Sequence, residues 1–442
     1  MIQQMGCLKA LERSSPLPIS HSATYVDSQR SYSGRIPFYG LHRNMPPHGY
    51  IIPRDILDFA LLDAAISSGV TFQDSTYMHS FCVERRSLEI RARSGKREVL
   101  FHGHLVVGAD GVNSAVARCA GLLQKDPRYM AVSQRAYAEG FTGKTGEAAF
   151  FFEKDLFPGY GWMFPMRGGR VNCGVGILAE TCRREAIQVP MLFSRFLERL
   201  RRVHPHCSGL RLCRPAIGGI VKTYGAEGPN YFHGGLLIGD AGSFADPITG
   251  EGITPAMESA LLAIPVLTRA LERGRTDSEI LSAYERSYRN YFDPSMLFLD
   301  YCATILRNKH FSRLWLDAAA RACSRAQSDV EFAKAIGACF GGLELDLSRV
   351  LSQVGLSVAR DLVGFLVQVS SGWQNSDART NRRIWANVVQ SVSSCWHSLL
   401  ADPAWHLGWV FDVQQKWFRV LRAFSSDASD PRASSALLKA LD

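Results

Sequence analysis

Residues 236–255, LLIGDAGSFADPITGEGITP, constrain the fold more than any other part of the chain. An apolar run, residues 235–238, ends in Gly239-Asp240. A glycine-rich loop follows, and residues 253–271 then read as an apolar helix. Strand, tight loop and helix N-terminus in that order build a site for an anion or a polar ring edge. The first N–H groups of a helix have no partner inside it, and the macrodipole adds partial positive charge there. Unpaired, outward-pointing amides are therefore expected at the helix start. The Asp240 carboxylate, at a strand end, is expected to accept hydrogen bonds from a ribose-type hydroxyl.

At 442 residues, 46% hydrophobic and 21% charged, the chain has ordinary globular composition and a length suited to two or three domains. No apolar run is long and uncharged enough to span a bilayer, and residues 1–9 carry no signal-peptide core, so a cytoplasmic protein is expected. The eleven cysteines are scattered with no Cys-x-x-Cys pair, which reads as reduced, mostly buried thiols and no metal site. The net charge of +9 is read first as solubility, and second as attraction to phosphates on a nucleotide, a prenyl diphosphate or an acidic membrane surface. No zinc knuckle or basic recognition helix points to nucleic acid.

Residues 1–49, with Pro16, Pro18, Pro37, Pro46 and Pro47, are expected to be irregular apart from short strands such as residues 23–27. Residues 54–68 read as a helix, because Ile56, Leu57, Ala60, Leu61, Ala64 and Ala65 fall at helical spacing between Pro53 and Gly69. Residues 81–84, 88–91 and 98–101 read as an antiparallel meander, and residues 104–111 as a buried strand ending in a turn. Residues 130–180 read as strand-rich, with clear runs at 148–152 and 171–177; residues 191–202 form a basic amphipathic helix. From Ser278 the pattern is helical to the end, with a polar break near 370–381 and a linker at 425–435.

Several constellations carry candidate chemistry. Arg54 reads either as a plain helix-start residue or as a contact to a nucleotide phosphate or ring. Gly108-Ala-Asp110-Gly111-Val-Asn-Ser114 turns the chain through two glycines, with Asp110 and Ser114 supplying backbone-capping oxygens. Alone it is an ordinary turn; behind a helix and a three-strand meander it has the context of a cofactor site. Tyr160, Trp162 and Phe164 stand at period two, so on a strand the three rings share one face, as sheet core or as a pocket wall. The nearby Asn172-Cys-Gly174-Val-Gly176 favours the wall, since missing side chains let a flat ligand or another backbone approach. Asp246 reads as capping the turn around Pro247, and Glu251 as complementing the helix dipole. Aromatic, basic segments at 307–315 and 405–422 read as bundle packing or as a membrane-surface face.

Taken together over residues 1–275, four segments resemble the geranylgeranyl reductase family of FAD-dependent oxidoreductases, within the superfamily that includes the para-hydroxybenzoate hydroxylase type. They are Tyr50-Ile-Ile-Pro-Arg54 with the helix behind it, Gly108-Ala-Asp-Gly111, Tyr160-Gly-Trp-Met-Phe-Pro-Met with residues 172–176, and residues 239–252. The Tyr-x-Trp-x-Phe-Pro segment is what points to the reductase branch. The resemblance implies an α/β (α+β) architecture. A Rossmann-like FAD/NAD(P)-binding domain, incomplete at the N-terminus, would comprise 50–118 and 234–275. An antiparallel-sheet substrate domain would comprise 1–49 and 119–233, and a helical domain 276–442.

The resemblance also implies roles. Gly239 and Asp240 would bind the ribose or pyrophosphate portion of FAD, with Pro247 in the same cofactor-binding loop. Gly250, Gly252 and Ile253 would present N–H groups to the pyrimidine edge of the flavin, where reduction builds negative charge. Asp110 and Gly111 would sit near the pyrophosphate, and Arg54 would contact FAD from the first helix. Tyr160, Trp162 and Phe164, with Asn172 and Gly174, would line the cavity of a prenyl chain. The chemistry would be hydride transfer from reduced flavin to an isolated C=C bond, with a proton delivered to the other carbon and NADPH or ferredoxin as electron donor. An unactivated bond makes alignment and water exclusion do most of the work. No catalytic residue follows from the sequence.

The chain departs from that pattern in two places. Such proteins open with a strand, Gly-x-Gly-x-x-Gly and a helix; no Gly-x-Gly-x-x-Gly occurs in this sequence, and residues 1–8 resemble a helix that follows that unit. A start assigned too late or an N-terminal truncation is expected, and with it weak binding of FAD or none. Phe157 stands where the family often has proline, which here is at 158. Two rival expectations follow. One is an aromatic monooxygenase or a flavin-dependent halogenase, the latter calling for Trp-x-Trp-x-Ile-Pro where this chain has Tyr160-Gly-Trp-Met-Phe-Pro. The other is a catalytically inactive remnant acting as a binding protein.

Overall fold

The computed structural model describes residues 7–13, 15–35, 49–84, 87–330, 332–333 and 378–427. The N-terminal region is more regular than its prolines suggest. Leu8–Arg13 form helix α1, and Leu17–Ile19, His21–Val26 and Gln29–Arg35 form strands β1, β2 and β3. Pro18 is tolerated because β1 pairs with a single strand, β4 (Gly49–Ile51). β2 and β3 make a hairpin closed by Asp27 and Ser28, whose φ values of 48° and 63° suit the right-handed twist of the flanking strands. α2 (Arg54–Ser67) carries the expected stripe, with Leu57 and Ala60 buried against Leu11 of α1.

The meander is present as β5 (Thr76–Val83), β6 (Leu88–Ser94) and β7 (Arg97–Gly103). β8 (Val106–Gly108) is shorter and more open than the buried strand expected over 104–111: Val107 keeps 37% of its surface exposed. Alternation turns Gly108 to the opposite face, against α3 (Ala115–Cys119). A Cβ there would lie 2.6 Å from Leu237 Cδ2 and 3.0 Å from Val116 Cβ, so only glycine fits.

A large sheet occupies the middle of the chain. β9 (Met130–Glu139), β10 (Glu147–Phe152), β11 (Tyr160–Pro165), β12 (Arg170–Leu178) and β13 (Arg211–Leu212) join β2 and β3 in the order β13-β9-β12-β11-β10-β2-β3, and β14 (Ile217–Lys222) also pairs with β9. Pairing is antiparallel except between β10 and β2. After α4 (Ala179–Arg184), α5 (Val189–Val203) lays Leu192, Phe193, Phe196, Leu197 and Leu200 on one face, against Phe151, Met163, Val171, Cys173 and Val175. This is the apolar side of the amphipathic helix expected at 191–202. Phe196 fills the space over Gly161, where a Cβ would meet its ring at 2.5 Å. The opposite face of β11 carries Tyr160, Trp162 and Phe164.

β15 (Tyr231–Phe232), β16 (Gly235–Leu237) and β8 form a three-stranded sheet in which β16 runs parallel to β8. Helices follow: α6 (Ile253–Glu272), α7 (Ser278–Leu306), α8 (Ser312–Ser328), α9 (Ala378–Ala401) and α10 (Pro403–Asp427). The polar break expected at 370–381 lies outside the described residues up to 377, and 378–381 already belong to α9. The expected linker starts inside α10, and its part beyond 427 lies outside the described residues. Tyr284, Tyr288 and Phe292 of α7 build a second core with Tyr224 and Phe244. α10 is locked onto α7 by a buried ion pair, Lys416 Nζ to Asp300 Oδ1 at 2.7 Å, with Thr304 Oγ1 at 2.8 Å from the same ammonium. No described helix is long and apolar enough to cross a membrane. The architecture is thus mixed α and β, with a large antiparallel sheet and a helical C-terminal region.

Candidate functional site

The chain leaves β16 and turns at Gly239, whose φ of 55° disfavours any side chain. The Gly239 N–H donates to Ser259 Oγ at 3.0 Å, and Tyr284 Oη donates to the Leu237 carbonyl at 3.2 Å, so α6 and α7 hold the strand end. Asp246 is buried, and its Oδ1 accepts the N–H groups of Ile248 and Thr249, each at 2.7 Å, which closes the turn around Pro247 as expected. The amides further along are not free. Gly250 N–H donates to the Asp246 carbonyl at 2.9 Å, and Glu251 Oε1 accepts from Ile253 N–H at 2.8 Å and Thr254 N–H at 2.9 Å. This corrects the expectation of outward-pointing, unpaired amides at Gly250 and Ile253. A carboxylate one residue before the N-cap reaches the first-turn donors and is favoured by the macrodipole, so it takes the place an external anion would occupy. Gly252 is the bare position in the loop: a Cβ there would lie 3.3 Å from Asp240 Oδ1 and 3.5 Å from Ala245 Cβ.

The aromatic triplet behaves as period two requires. Ring centroids are 6.0 Å apart for Tyr160 and Trp162, and 6.5 Å for Trp162 and Phe164. All three rings are half-buried, while Gly161, Met163 and Pro165 between them are buried, so the stripe is a wall and not sheet core. Tyr160 Oη donates to the Thr249 carbonyl, joining this wall to the glycine-rich loop. Burial, with a smaller push from the Asp246 and Glu251 carboxylates, raises the Tyr160 pKa and keeps the phenol protonated. Trp162 Nε1 donates to Asn172 Oδ1 at 3.2 Å. The room at Gly174 is taken by the Trp162 indole, since a Cβ would lie 2.4 Å from its Cζ2. That glycine therefore seats the wall; the space beside it is not open to a ligand.

Charges gather on the other side of the loop. Asp240 is half-buried; burial raises its pKa, and the nearby Lys222 and Arg54 oppose that rise. Arg54 itself is exposed and makes a two-point ion pair with Asp58, at 3.0 and 3.2 Å. Asp110 Oδ2 accepts Ala115 N–H at 2.6 Å and Val116 N–H at 3.2 Å, and Ser114 Oγ accepts Ala117 N–H at 2.8 Å. The turn through Gly111, at φ 77°, is therefore capped as expected. Lys222, at the end of β14, is a residue that sequence reasoning missed. Its side chain is fully buried, and Nζ has no hydrogen-bond partner among the described residues. Burial lowers its pKa, while Asp240 and Asp110 hold it up. The one signal in the sequence was a lysine closing the uncharged run 216–221. An orphaned buried cation within electrostatic reach of two carboxylates fits a cofactor that carries anionic phosphates.

Residues 1–140 match the family model described as FAD binding domain. Digeranylgeranylglycerophospholipid reductase 2 of Methanothermobacter thermautotrophicus is 31% identical over 249 residues, which is 54% of this chain and 60% of the relative. The digeranylgeranylglycerophospholipid reductase of Methanothrix thermoacetophila is 32% identical over 246 residues, with shares of 54% and 60%. The chain is similar to these reductases over that stretch. It spans about 60% of the length of each. Among solved structures, a geranylgeranyl bacteriochlorophyll reductase-like protein of Thermoplasma acidophilum matches with a TM-score of 0.63 at 21% identity, over 76% of this chain and 84% of that one. A flavin-dependent brominase matches with a TM-score of 0.58 at 15% identity, over 81% and 87%. Reductase-like and halogenase structures share this fold, so the fold does not choose between them; the sequence relatives are reductases.

Proposed function

We propose that the chain is an FAD-dependent oxidoreductase that reduces isolated C=C bonds of a prenyl chain. The observation that carries this reading is the bond between Tyr160 and Thr249, which sets a half-buried wall of three rings against the glycine-rich loop. The names of the sequence relatives support the substrate class. Bound FAD, once reduced, would supply the hydride. The chain's own residues act by placement. Asp240 stands ready to accept from ribose hydroxyls, and Gly252 leaves the approach to it open. Trp162, pinned by Asn172 and seated over Gly174, offers a rigid flat surface on which an alkene chain can lie. Its neutral neighbour Tyr160 keeps that surface free of charge. An isolated alkene polarises weakly, so catalysis rests on alignment and on the exclusion of water by these rings.

NADPH or a reduced ferredoxin fits as electron source on the cytoplasmic side. The exposed residues Leu407, Val410, Phe411, Phe418 and Leu421 recur at helical spacing along α10, and in this reading they rest on a lipid surface from which the substrate is taken. Co-sedimentation with vesicles containing anionic lipid, compared between wild type and Phe418→Glu, tests that contact.

The activity is tested by loading the chain with FAD, reducing it anaerobically with dithionite and adding a digeranylgeranyl lipid. The expected products gain one H2 per reduced bond. Oxygen consumption on an aromatic substrate instead would identify a monooxygenase, and FAD binding without turnover of either would identify an inactive binding protein.

A further inference from the structure

We propose that Lys222 is a cofactor ligand: its ammonium binds a phosphate oxygen of the flavin dinucleotide beside Asp240. The inference rests on the flavoprotein reading and adds a residue to it.

The backbone around Lys222 is sewn to the segment that follows Asp240. The Lys222 carbonyl accepts Ala245 N–H at 3.2 Å, the Ala245 carbonyl accepts Tyr224 N–H at 2.8 Å, and Thr223 bridges Ala245. Position 222 therefore moves with the glycine-rich loop. The side chain is buried completely, yet none of its three donors is used among the described residues. Lys416 shows what this fold does with a structural buried lysine. Its ammonium has Asp300 Oδ1 at 2.7 Å, Thr304 Oγ1 at 2.8 Å and the Tyr129 ring at 4.5 Å. Two buried lysines in one molecule, one fully partnered and one bare, separate a structural role from a waiting one.

Charge balance points the same way. Lys222 stands among Asp240 and Asp110, so one positive charge faces two carboxylates, and Asp110 is already spent on the α3 amides. A diphosphate brings about two further negative charges to that corner. Without Lys222 it would meet two carboxylates there, offset only by the exposed Arg54, which is already paired with Asp58, and in a water-poor setting that repulsion is strong. With Lys222 the phosphate oxygen completes a charge-assisted hydrogen bond that the ligand-free protein leaves unmade.

The test uses Lys222→Met, which keeps the length of the stem and removes the charge, and Lys222→Arg, which keeps the charge. Thermal midpoints are measured on the flavin-free proteins, and binding of FAD and of riboflavin, which has no phosphate, is measured by fluorescence titration. Lys222→Met is expected to melt no lower than wild type, because an unpartnered buried charge is gone. It should bind FAD about tenfold or more weaker, and riboflavin within about twofold of wild type, while Lys222→Arg retains FAD binding. Equal weakening of FAD and riboflavin, or unchanged FAD binding, overturns the proposal. A lower melting point for Lys222→Met with the FAD to riboflavin ratio intact assigns the lysine a structural role and also overturns it. A wild-type chain that binds neither flavin overturns the flavoprotein reading itself, and this inference with it.

Discussion

Glu258 gives the protein a pH dependence that one substitution should remove. It lies on α6, half-buried, and its Oε1 accepts the Tyr291 hydroxyl at 2.8 Å. Burial pushes its pKa up from 4.5 to about 7; the Tyr291 hydrogen bond opposes the rise, and the Glu251 carboxylate adds to it. Because the folded value is the higher one, the native state holds a proton that the unfolded chain has lost between about pH 4.5 and 7. Its contribution to stability is complete below pH 4.5 and disappears as the pH rises through about 7. The interval is about 2.5 units, at roughly 1.4 kcal/mol each, which sets an upper bound of about 3.5 kcal/mol; partial exposure brings the expected value nearer 2 kcal/mol. Glu258→Gln keeps an acceptor for Tyr291 and carries no charge at any pH. Urea unfolding followed by far-UV circular dichroism from pH 4.5 to 8 should show the variant close to wild type at the acid end and about 2 kcal/mol more stable at the alkaline end. A difference that stays constant with pH, or a wild type that gains on the variant as pH rises, refutes the reasoning.

Other predictions concern the clamp and the wall. Asp300→Asn leaves the Lys416 ammonium buried without a counter-charge and should cost about 3–5 kcal/mol in urea unfolding, whereas Asp300→Leu with Lys416→Met should recover most of that loss. Tyr160→Phe removes the donor to Thr249 and should cost about 1 kcal/mol of stability. If the wall positions substrate, the same variant raises KM for a prenyl lipid more than it lowers kcat, which steady-state kinetics at saturating flavin will separate.

The parts of the molecule that local pattern determines were legible in the sequence. The stripe of α2, the amphipathic α5, the meander and the shared face of Tyr160, Trp162 and Phe164 all follow from periodicity, and the capping roles of Asp110, Ser114 and Asp246 follow from short-range hydrogen bonding. What escaped depends on tertiary approach. Lys222 looks like any lysine at a strand end until the fold buries it without a hydrogen-bond partner among the described residues. Gly174 looks like room for a ligand until Trp162 fills it. Glu251 was read through its charge alone, and that charge occupies the amides expected to await a ligand. The short strand expected at 23–27 is found as β2, but α1, β1 and β3 were hidden because prolines suggested irregular chain, whereas pairing with a single partner lets β1 keep its proline.

The central claim is that the loop from Gly239 to Ile253 holds a flavin against the aromatic wall, and titration of flavin into the purified chain tests it most directly. FAD is expected to bind reversibly and saturably, with a dissociation constant on the order of micromolar. Gly252→Val, whose Cβ would crowd Asp240 Oδ1 at 3.3 Å, should abolish binding while leaving the circular dichroism spectrum unchanged. Saturable quenching of flavin fluorescence by wild type and none by Gly252→Val is the predicted result. Equal binding by the two proteins, or no binding by wild type, contradicts the account.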